Sequence, residues 1–147
     1  DALARRAPDL RLGTDLEFLS RPEWRAVEAA YGLRFASKTS YQPTFMYRAL
    51  AGGQADVISA FSSDGRIAAD QLVVLADPRG AIPPYDAVVL ISPRRAGDLR
   101  LNEALRPLIG AISATAMRAA NYSVDREAEK LTPAQAAQQL ERGLGAR

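Results

Sequence analysis

The sequence predicts an α/β fold in which helices flank a mostly parallel sheet. Strand-like and helix-like patterns alternate from residue 10 to residue 76, and such alternation favours parallel pairing of the strands. The pattern after Ile91 is helical throughout. Between these parts, residues 77–84 contain three prolines and a glycine, which is typical of a crossing between two lobes.

The predicted strands are short runs that are rich in apolar and β-branched residues. They lie at residues 10–13, 33–37, 57–61, 72–76 and 87–91. The third run ends abruptly at the polar residues Ser62, Ser63 and Asp64, after which a helix is predicted. In open α/β sheets, ligands bind outside the carboxyl ends of the strands, so this strand end is a candidate binding site.

The first helices have recognisable starts and stops. A capping box is predicted with Ser20 at the N-cap and Glu23 reaching back, and Gly32 ends the helix that it begins. Pro43 begins the next helix, and Gly52 follows its apolar face. These signals place one helix between the first and second predicted strands and another between the second and third.

The C-terminal third is predicted to be helical. Pro107 should kink or break the first of these helices, because proline lacks the backbone N–H that the helix needs. A second capping box, from Thr132 to Gln135, begins the last helix, which is predicted to close at Gly143.

Composition excludes several classes of function. The net charge is only +2 and the basic residues are scattered, which argues against a nucleic-acid interface. Cysteine and histidine are both absent, which removes disulfides, thiol chemistry and the commonest general base and metal ligand. No phosphate-binding glycine loop, metal-ligand cluster or nucleophile elbow occurs. We therefore expect a protein that is not an enzyme and that carries no cofactor.

Three segments carry a resemblance to one protein family. Residues 56–67 are similar to a family segment with the pattern Asp-Val-Ile-x-Ala-Tyr-Ser-Thr-Asp-Gly-Arg-Ile. Residues 13–21 and 30–33 are similar to Gly-x-x-x-Glu-Phe-x-x-Arg and Tyr-Gly-Leu, and residues 72–78 and 83–87 to Leu-Val-Val-Leu-x-Asp and Pro-Pro-Tyr. The chain thus resembles the substrate-binding proteins of osmoprotectant ABC importers, the glycine betaine/carnitine/choline family.

The resemblance implies a periplasmic-binding-protein-like fold of type II, in which two α/β lobes clamp a ligand. Residues 1–84 would be the second lobe, and residues 85–147 a mostly helical return segment to the first lobe, whose N-terminal part is missing. The helices after Ile91 would then lack their usual sheet. We expect them to fold back onto the sheet that is present or to pair with a second copy in a homo-oligomer, because large apolar patches seldom stay exposed.

The resemblance also implies four ligand-binding residues. Phe61 and Tyr85 stand where the family motifs carry tyrosines of an aromatic cage, although Phe61 keeps only the ring and lacks the hydroxyl. A quaternary ammonium cannot donate a hydrogen bond and is held by ring faces instead. Arg21 would bind the carboxylate of a betaine or carnitine, and Glu17 would help to fix Arg21.

Other interpretations of these residues stay open on the sequence alone. Phe61 could be a core residue at the end of a buried strand. Arg21 and Glu17 could form a solvated ion pair that contributes little. Asp15 and Glu17 could be paired acids for hydrolysis, but local spacing does not establish the separation that such a pair needs. Asp64 could cap the following helix rather than touch a ligand.

The resemblance implies a fragment of the solute-binding subunit of an ABC importer for glycine betaine, choline, carnitine or a similar solute. Binding would close the lobes, and the closed form would dock on a membrane permease at the periplasmic or extracytoplasmic face. The expected partners are a small zwitterion or quaternary amine and the permease, not nucleic acid. The alternative is a small-molecule sensor or regulatory domain built on the same two-lobe fold.

Overall fold

The computed structural model describes residues 2–144, and of Leu144 only its place in a helix. Among these residues, the strands are β1 (Arg11–Thr14), β2 (Ser37–Ser40) and β3 (Val57–Ile58). The helices are α1 (Ala2–Arg6), α2 (Pro22–Tyr31), α3 (Pro43–Ala51), α4 (Gly65–Ala69), α5 (Leu99–Leu105), α6 (Ala114–Asp125) and α7 (Pro133–Leu144). Short 3-10 turns lie at Ala7–Asp9, Phe18–Ser20, Pro93–Arg95 and Arg106–Leu108.

The described residues form two compact units that are each discontinuous in sequence. The first unit contains residues 2–61 and Leu75–Pro84, and the second contains Ser62–Val74 and residues 85–144. The assignment of residues 1–84 and 85–147 to two lobes stays a prediction.

The sheet of the first unit is parallel, as the alternation of strands and helices predicts. Its strand order is β2-β1-β3, so that β1 is the central strand. On one side, β1 pairs with β2 from Arg11 opposite Ser37 to Thr14 opposite Ser40, and on the other side Gly13 lies opposite Ile58 of β3. Parallel pairing needs a long crossover connection, which α2 and α3 provide.

The core of the first unit lies between β1 and α2. Leu12, Trp24 and Leu33 are buried there, and the Trp24 ring lies 6.0 Å from the Phe18 ring and 6.3 Å from the Phe35 ring, centroid to centroid. Trp24 is the buried residue of α2, and α2 ends at the left-handed Gly32 as predicted.

An ion pair fixes β1 beside β3 at the amino ends of the strands. The Arg11 guanidinium donates to both carboxylate oxygens of Asp56 at 2.9 Å, and the Arg11 backbone N–H donates to the same carboxylate at 2.8 Å. These hydrogen bonds lower the pKa of Asp56 from its ordinary 3.8 to about 2.

Residues 75–84 are attached to the first unit through the end of α2. The Asp77 carboxylate accepts hydrogen bonds from the Tyr31 hydroxyl and, at 2.8 Å, from the Ile82 N–H. The Tyr31 hydroxyl in turn accepts from the Arg79 N–H at 2.9 Å. The bond from Ile82 and the bond from Tyr31 hold the pKa of Asp77 below its usual value.

The second unit is helical. The start of α4 lies directly against α6, because a Cβ added at Gly65 would come within 2.4 Å of the Tyr122 backbone nitrogen. The predicted capping box of α7 is confirmed, since the Thr132 hydroxyl accepts from the Gln135 N–H at 3.2 Å and Gln135 Oε1 accepts from the Thr132 N–H at 2.9 Å. The predicted break at Pro107 is also confirmed, because α5 ends at Leu105 and a 3-10 turn follows.

Four strand predictions are wrong in position, in length or in kind. The predicted strand at 33–37 is replaced by β2 at Ser37–Ser40, because Leu33 turns into the core before the chain reaches the sheet. The strand predicted at 57–61 ends at Ile58. The runs at 72–76 and 87–91 form no strand, and Val73 is 85% exposed and Leu90 90% exposed. They have strand-forming residues, but no strand in the described part of the chain pairs with them.

The capping box predicted at Ser20 is wrong as well. The N-cap of α2 is Arg21, and the Ser20 hydroxyl donates instead to the Glu17 carbonyl at 2.7 Å. The 3-10 turn at Phe18–Ser20 moves Ser20 out of the capping position. Glu23 Oε2 is buried and, within residues 2–144, has no hydrogen-bond partner.

Acidification should weaken the link between β1 and β3. Because the folded pKa of Asp56 is depressed, its stabilisation is fully present above about pH 4 and is lost as the pH falls towards about 2. Urea unfolding between pH 2 and pH 7 should show that Asp56→Asn is less stable than the wild type at pH 7. The difference should shrink below pH 4, and a difference that is independent of pH would contradict this role of the ion pair.

Gly13→Ala should destabilise the first unit. A Cβ at Gly13 would lie 3.2 Å from Ala55 Cβ and Ile58 Cγ2 and 3.3 Å from Tyr41 Cε2, so three neighbours must move at once. We expect a loss of about 1–3 kcal/mol in the free energy of unfolding. Gly97→Ala is the matched control, because nothing lies within 4 Å of a Cβ at that position and the change should be neutral or stabilising. Equal effects of the two substitutions would refute the close packing at Gly13.

Candidate functional site

The carboxyl ends of the three parallel strands meet at one edge of the sheet. The ladder continues one residue past the strands, since the Tyr41 N–H donates to the Thr14 carbonyl at 2.8 Å and the Ser59 N–H donates to the Gly13 carbonyl at 3.1 Å. Open α/β sheets bind ligands at this edge. The polar side chains that follow the strands are therefore candidate ligand contacts.

Three hydroxyl groups line this edge. Thr14 is fully buried, and its hydroxyl donates to the Asp15 carbonyl at 2.9 Å. The Ser40 hydroxyl lies 3.3 Å from that of Thr14 and must be the donor there, because the single hydroxyl hydrogen of Thr14 is already used. The Ser59 hydroxyl accepts from the Asp15 N–H at 3.3 Å. These hydroxyls tie the strand ends together.

Asp15 directs the chain out of the sheet. Its Oδ1 accepts from the N–H groups of Glu17 and Phe18 at 2.8 and 2.9 Å, which starts the 3-10 turn before α2. The Asp15 carboxylate is thus used to hold the loop. The chain runs through this turn to Arg21, the N-cap of α2.

The structure brings Glu17 and Arg21 together, which both the supporting role of Glu17 and the alternative of a solvated ion pair predict. Glu17 Oε2 lies 2.5 Å from Arg21 Nη2, and the Glu17 side chain is 72% exposed. An ion pair this exposed adds little to stability. Arg21 is the N-cap of α2, where the helix dipole and the first backbone N–H groups favour an anion as well.

The two predicted cage rings are exposed. Phe61 lies in the first unit, three residues beyond the end of β3, and is 59% exposed. That exposure contradicts the alternative in which Phe61 is a core residue. Tyr85 belongs to the second unit and is 63% exposed. The arrangement of Phe61, Tyr85, Arg21 and Glu17 as one site stays a prediction.

The edge residues Thr14, Ser40 and Ser59 were not among the predicted site residues. A signal was available, because each stands at or just after the end of a strand and carries a hydroxyl. Ser40 lies beyond the second strand as predicted at residues 33–37, whereas in the structure it ends β2. Asp64, by contrast, caps α4 by accepting from the Arg66 N–H at 3.3 Å, which favours the capping interpretation.

Metal and membrane signals are lacking in residues 2–144. Within them, no group of three or more acidic residues is placed to hold a metal ion. No helix among these residues combines the length and the apolar character that crossing a membrane requires.

Comparison with known proteins places the chain in a family. Residues 1–140 match the family described as the substrate binding domain of ABC-type glycine betaine transport system. The chain belongs to this family. The match extends through both units, so it does not rest on the three resembling segments alone.

Two similar proteins have names that fit this family. Two proteins named Carnitine transport binding protein OpuCC, one from Listeria monocytogenes serotype 1/2a (strain 10403S) and one from Listeria monocytogenes, are each 32% identical over 120 residues, or 80% of this chain. The chain spans 39% of the length of these relatives.

A solved structure shows the family fold. It is described as the crystal structure of glycine betaine/carnitine/choline ABC transporter, and it is 32% identical with a TM-score of 0.79. The alignment covers 95% of this chain and 52% of that one, so the chain corresponds to about half of the solved protein. The predicted fold class, an α/β periplasmic-binding-protein-like fold of type II with a parallel sheet flanked by helices, is confirmed.

Proposed function

We propose that this chain is part of the solute-binding subunit of an ABC importer and binds a small quaternary amine such as glycine betaine, carnitine or choline. The observation that carries the proposal is the family match over residues 1–140. The names of the similar proteins supply the ligand class, because they are a carnitine-binding protein and a glycine betaine/carnitine/choline transporter.

The exposed rings suit the cationic end of such a ligand. A trimethylammonium group offers no N–H, so it is recognised by the negative faces of aromatic rings, at about 0.5–2 kcal/mol for each ring. Phe61 and Tyr85 are both more than half exposed, so both can receive a ligand without leaving a core. The phenylalanine at position 61 keeps this interaction, because the ring face and not the hydroxyl attracts the cation.

Arg21 suits the anionic end. A guanidinium binds a carboxylate through two parallel hydrogen bonds, and the start of α2 adds a favourable dipole. Glu17 lies in contact with Arg21 and would help to hold its guanidinium in place. Glycine betaine and carnitine carry a carboxylate, whereas choline does not, so Arg21 should distinguish between them.

The mechanism that fits these residues is closure of two lobes around the solute. A solute that binds the closed form more tightly than the open form would shift the equilibrium towards closure. The closed form would then dock on a membrane permease at the extracytoplasmic or periplasmic face. Binding and release, without a chemical step, would be the whole activity of the subunit.

Arg21→Ala should separate the two kinds of ligand. In titration calorimetry with the complete gene product that contains these residues, glycine betaine and carnitine should lose roughly 2–4 kcal/mol of binding free energy, because their carboxylate is left unpaired. Choline should lose much less. Arg25→Ala, an exposed arginine on the same helix, is the control and should leave all three affinities unchanged. Equal losses of binding free energy for choline and glycine betaine would contradict the role of Arg21 as the carboxylate contact.

Phe61→Ala should weaken all three ligands alike. Each carries the same quaternary ammonium, so the loss of the ring should cost each about 0.5–2 kcal/mol. Phe45→Ala is the matched control, because Phe45 is also an exposed ring of the first unit, at 56%. Thermal unfolding of both variants should stay close to the wild type, and an unchanged affinity of Phe61→Ala would remove Phe61 from the site.

A further inference from the structure

Two polar side chains of α6 hold the backbone that immediately follows Phe61. Arg118 donates from Nε and from Nη2 to the Ser62 carbonyl, at 2.9 and 2.6 Å. Asn121 Nδ2 donates to the Ser63 carbonyl at 2.8 Å. Arg118 and Asn121 are three residues apart, so they lie on one face of the helix and hold successive carbonyl groups.

The packing of α4 fixes the same stretch from its other end. Gly65 is buried, and a Cβ there would lie 2.4 Å from the nitrogen and 2.6 Å from the Cα of Tyr122. No other residue type fits this approach without displacement of α6. Residues 62–65, which we call the anchored segment, are therefore held by two side chains and by a backbone contact with a single helix.

We propose that Arg118 and Asn121 are positioning residues for the Phe61 ring. The inference rests on the proposed function, in which that ring contacts the ligand. Phe61 is 59% exposed, so more than half of its surface is open to a ligand. Its peptide bond leads directly into the anchored segment, and the backbone that carries the ring is restrained from there. Restraint before binding lowers the ordering cost that the ligand must otherwise overcome.

The choice of side chains suits this role. A guanidinium presents two N–H groups in a rigid fork and can hold one carbonyl from two directions, which an ammonium on a flexible chain does not reproduce. Neither side chain needs to touch the ligand. Their effect on affinity should therefore pass through Phe61 and disappear when the ring is absent.

A double-mutant cycle between Arg118 and Phe61 tests this route. In the complete gene product, Arg118→Gln should weaken the binding of glycine betaine roughly threefold to tenfold in calorimetry. In the Phe61→Ala background the same change should have less than a twofold effect. Equal fold-changes in the two backgrounds would overturn the proposal, because Arg118 would then act on binding by another path.

Arg126→Gln is the matched control. Arg126 also holds a backbone carbonyl with its Nε, that of Glu129 at 2.9 Å, at the far end of α6 and away from the anchored segment. It should leave the affinity within twofold of the wild type. Asn121→Asp provides a second variant, which removes one donor at constant size, and it should weaken binding in the same direction as Arg118→Gln.

Amide hydrogen exchange without ligand separates the anchor from the function. The Ile67 N–H donates to the Asp64 carbonyl at 3.2 Å, so its protection reports on the start of α4. It should exchange faster in Arg118→Gln and not in Arg126→Gln, and unchanged exchange in Arg118→Gln would overturn the proposal whatever the ligand. Absence of betaine, carnitine and choline binding by the wild type would instead overturn the proposed function, and with it the role of the Phe61 ring.

Discussion

A glycine in the central strand sets how closely the parts of the first unit can approach. With no side chain at Gly13, the Tyr41 ring, Ile58 and Ala55 all reach the same point of β1. The two flanking strands can then pair with β1 in a register that brings three carboxyl ends to one edge. The hydroxyls of Thr14, Ser40 and Ser59 meet there as a consequence, and the Arg11–Asp56 pair holds the opposite end of the same strands.

The core residues of the first unit and the residues of the proposed binding site are different sets. Leu12, Trp24 and Leu33 are buried and provide the apolar burial that holds α2 against the sheet. Glu17 and Phe61, in contrast, are mostly exposed and lie on loops that leave the strand ends. Loops on a fixed scaffold are common places for binding residues, because they can vary without loss of the core. Substitutions at the exposed positions should therefore leave the core intact, so that a change in ligand affinity would report on binding and not on stability.

The sequence predicts best those features of the fold that depend on residues close together in the chain. The capping box from Thr132 to Gln135 forms because both partners lie within one turn and nothing competes with them. The same motif at Ser20 fails because the Asp15 carboxylate starts a turn two residues earlier and draws Ser20 into it. The runs at 72–76 and 87–91 have the composition of strands, yet strand formation depends on a pairing partner that local sequence does not specify. In the candidate site, the family motif predicts the contact between Glu17 and Arg21. The meeting of the hydroxyls of Thr14, Ser40 and Ser59 follows only from the register of the strands, which the sequence does not specify.

The energy that a quaternary amine can gain explains why the position of each ring matters. Micromolar binding requires about 8 kcal/mol. In the proposed site, two rings at the upper limit of the cation–π interaction would supply about 4 kcal/mol, and the contact of a carboxylate with Arg21 would supply about 2–4 kcal/mol. Little then remains to order an exposed phenylalanine when the ligand arrives. A site built from few weak contacts would need a backbone that is already in place, and the contacts of Arg118 and Asn121 with residues 62 and 63 would provide that restraint next to Phe61.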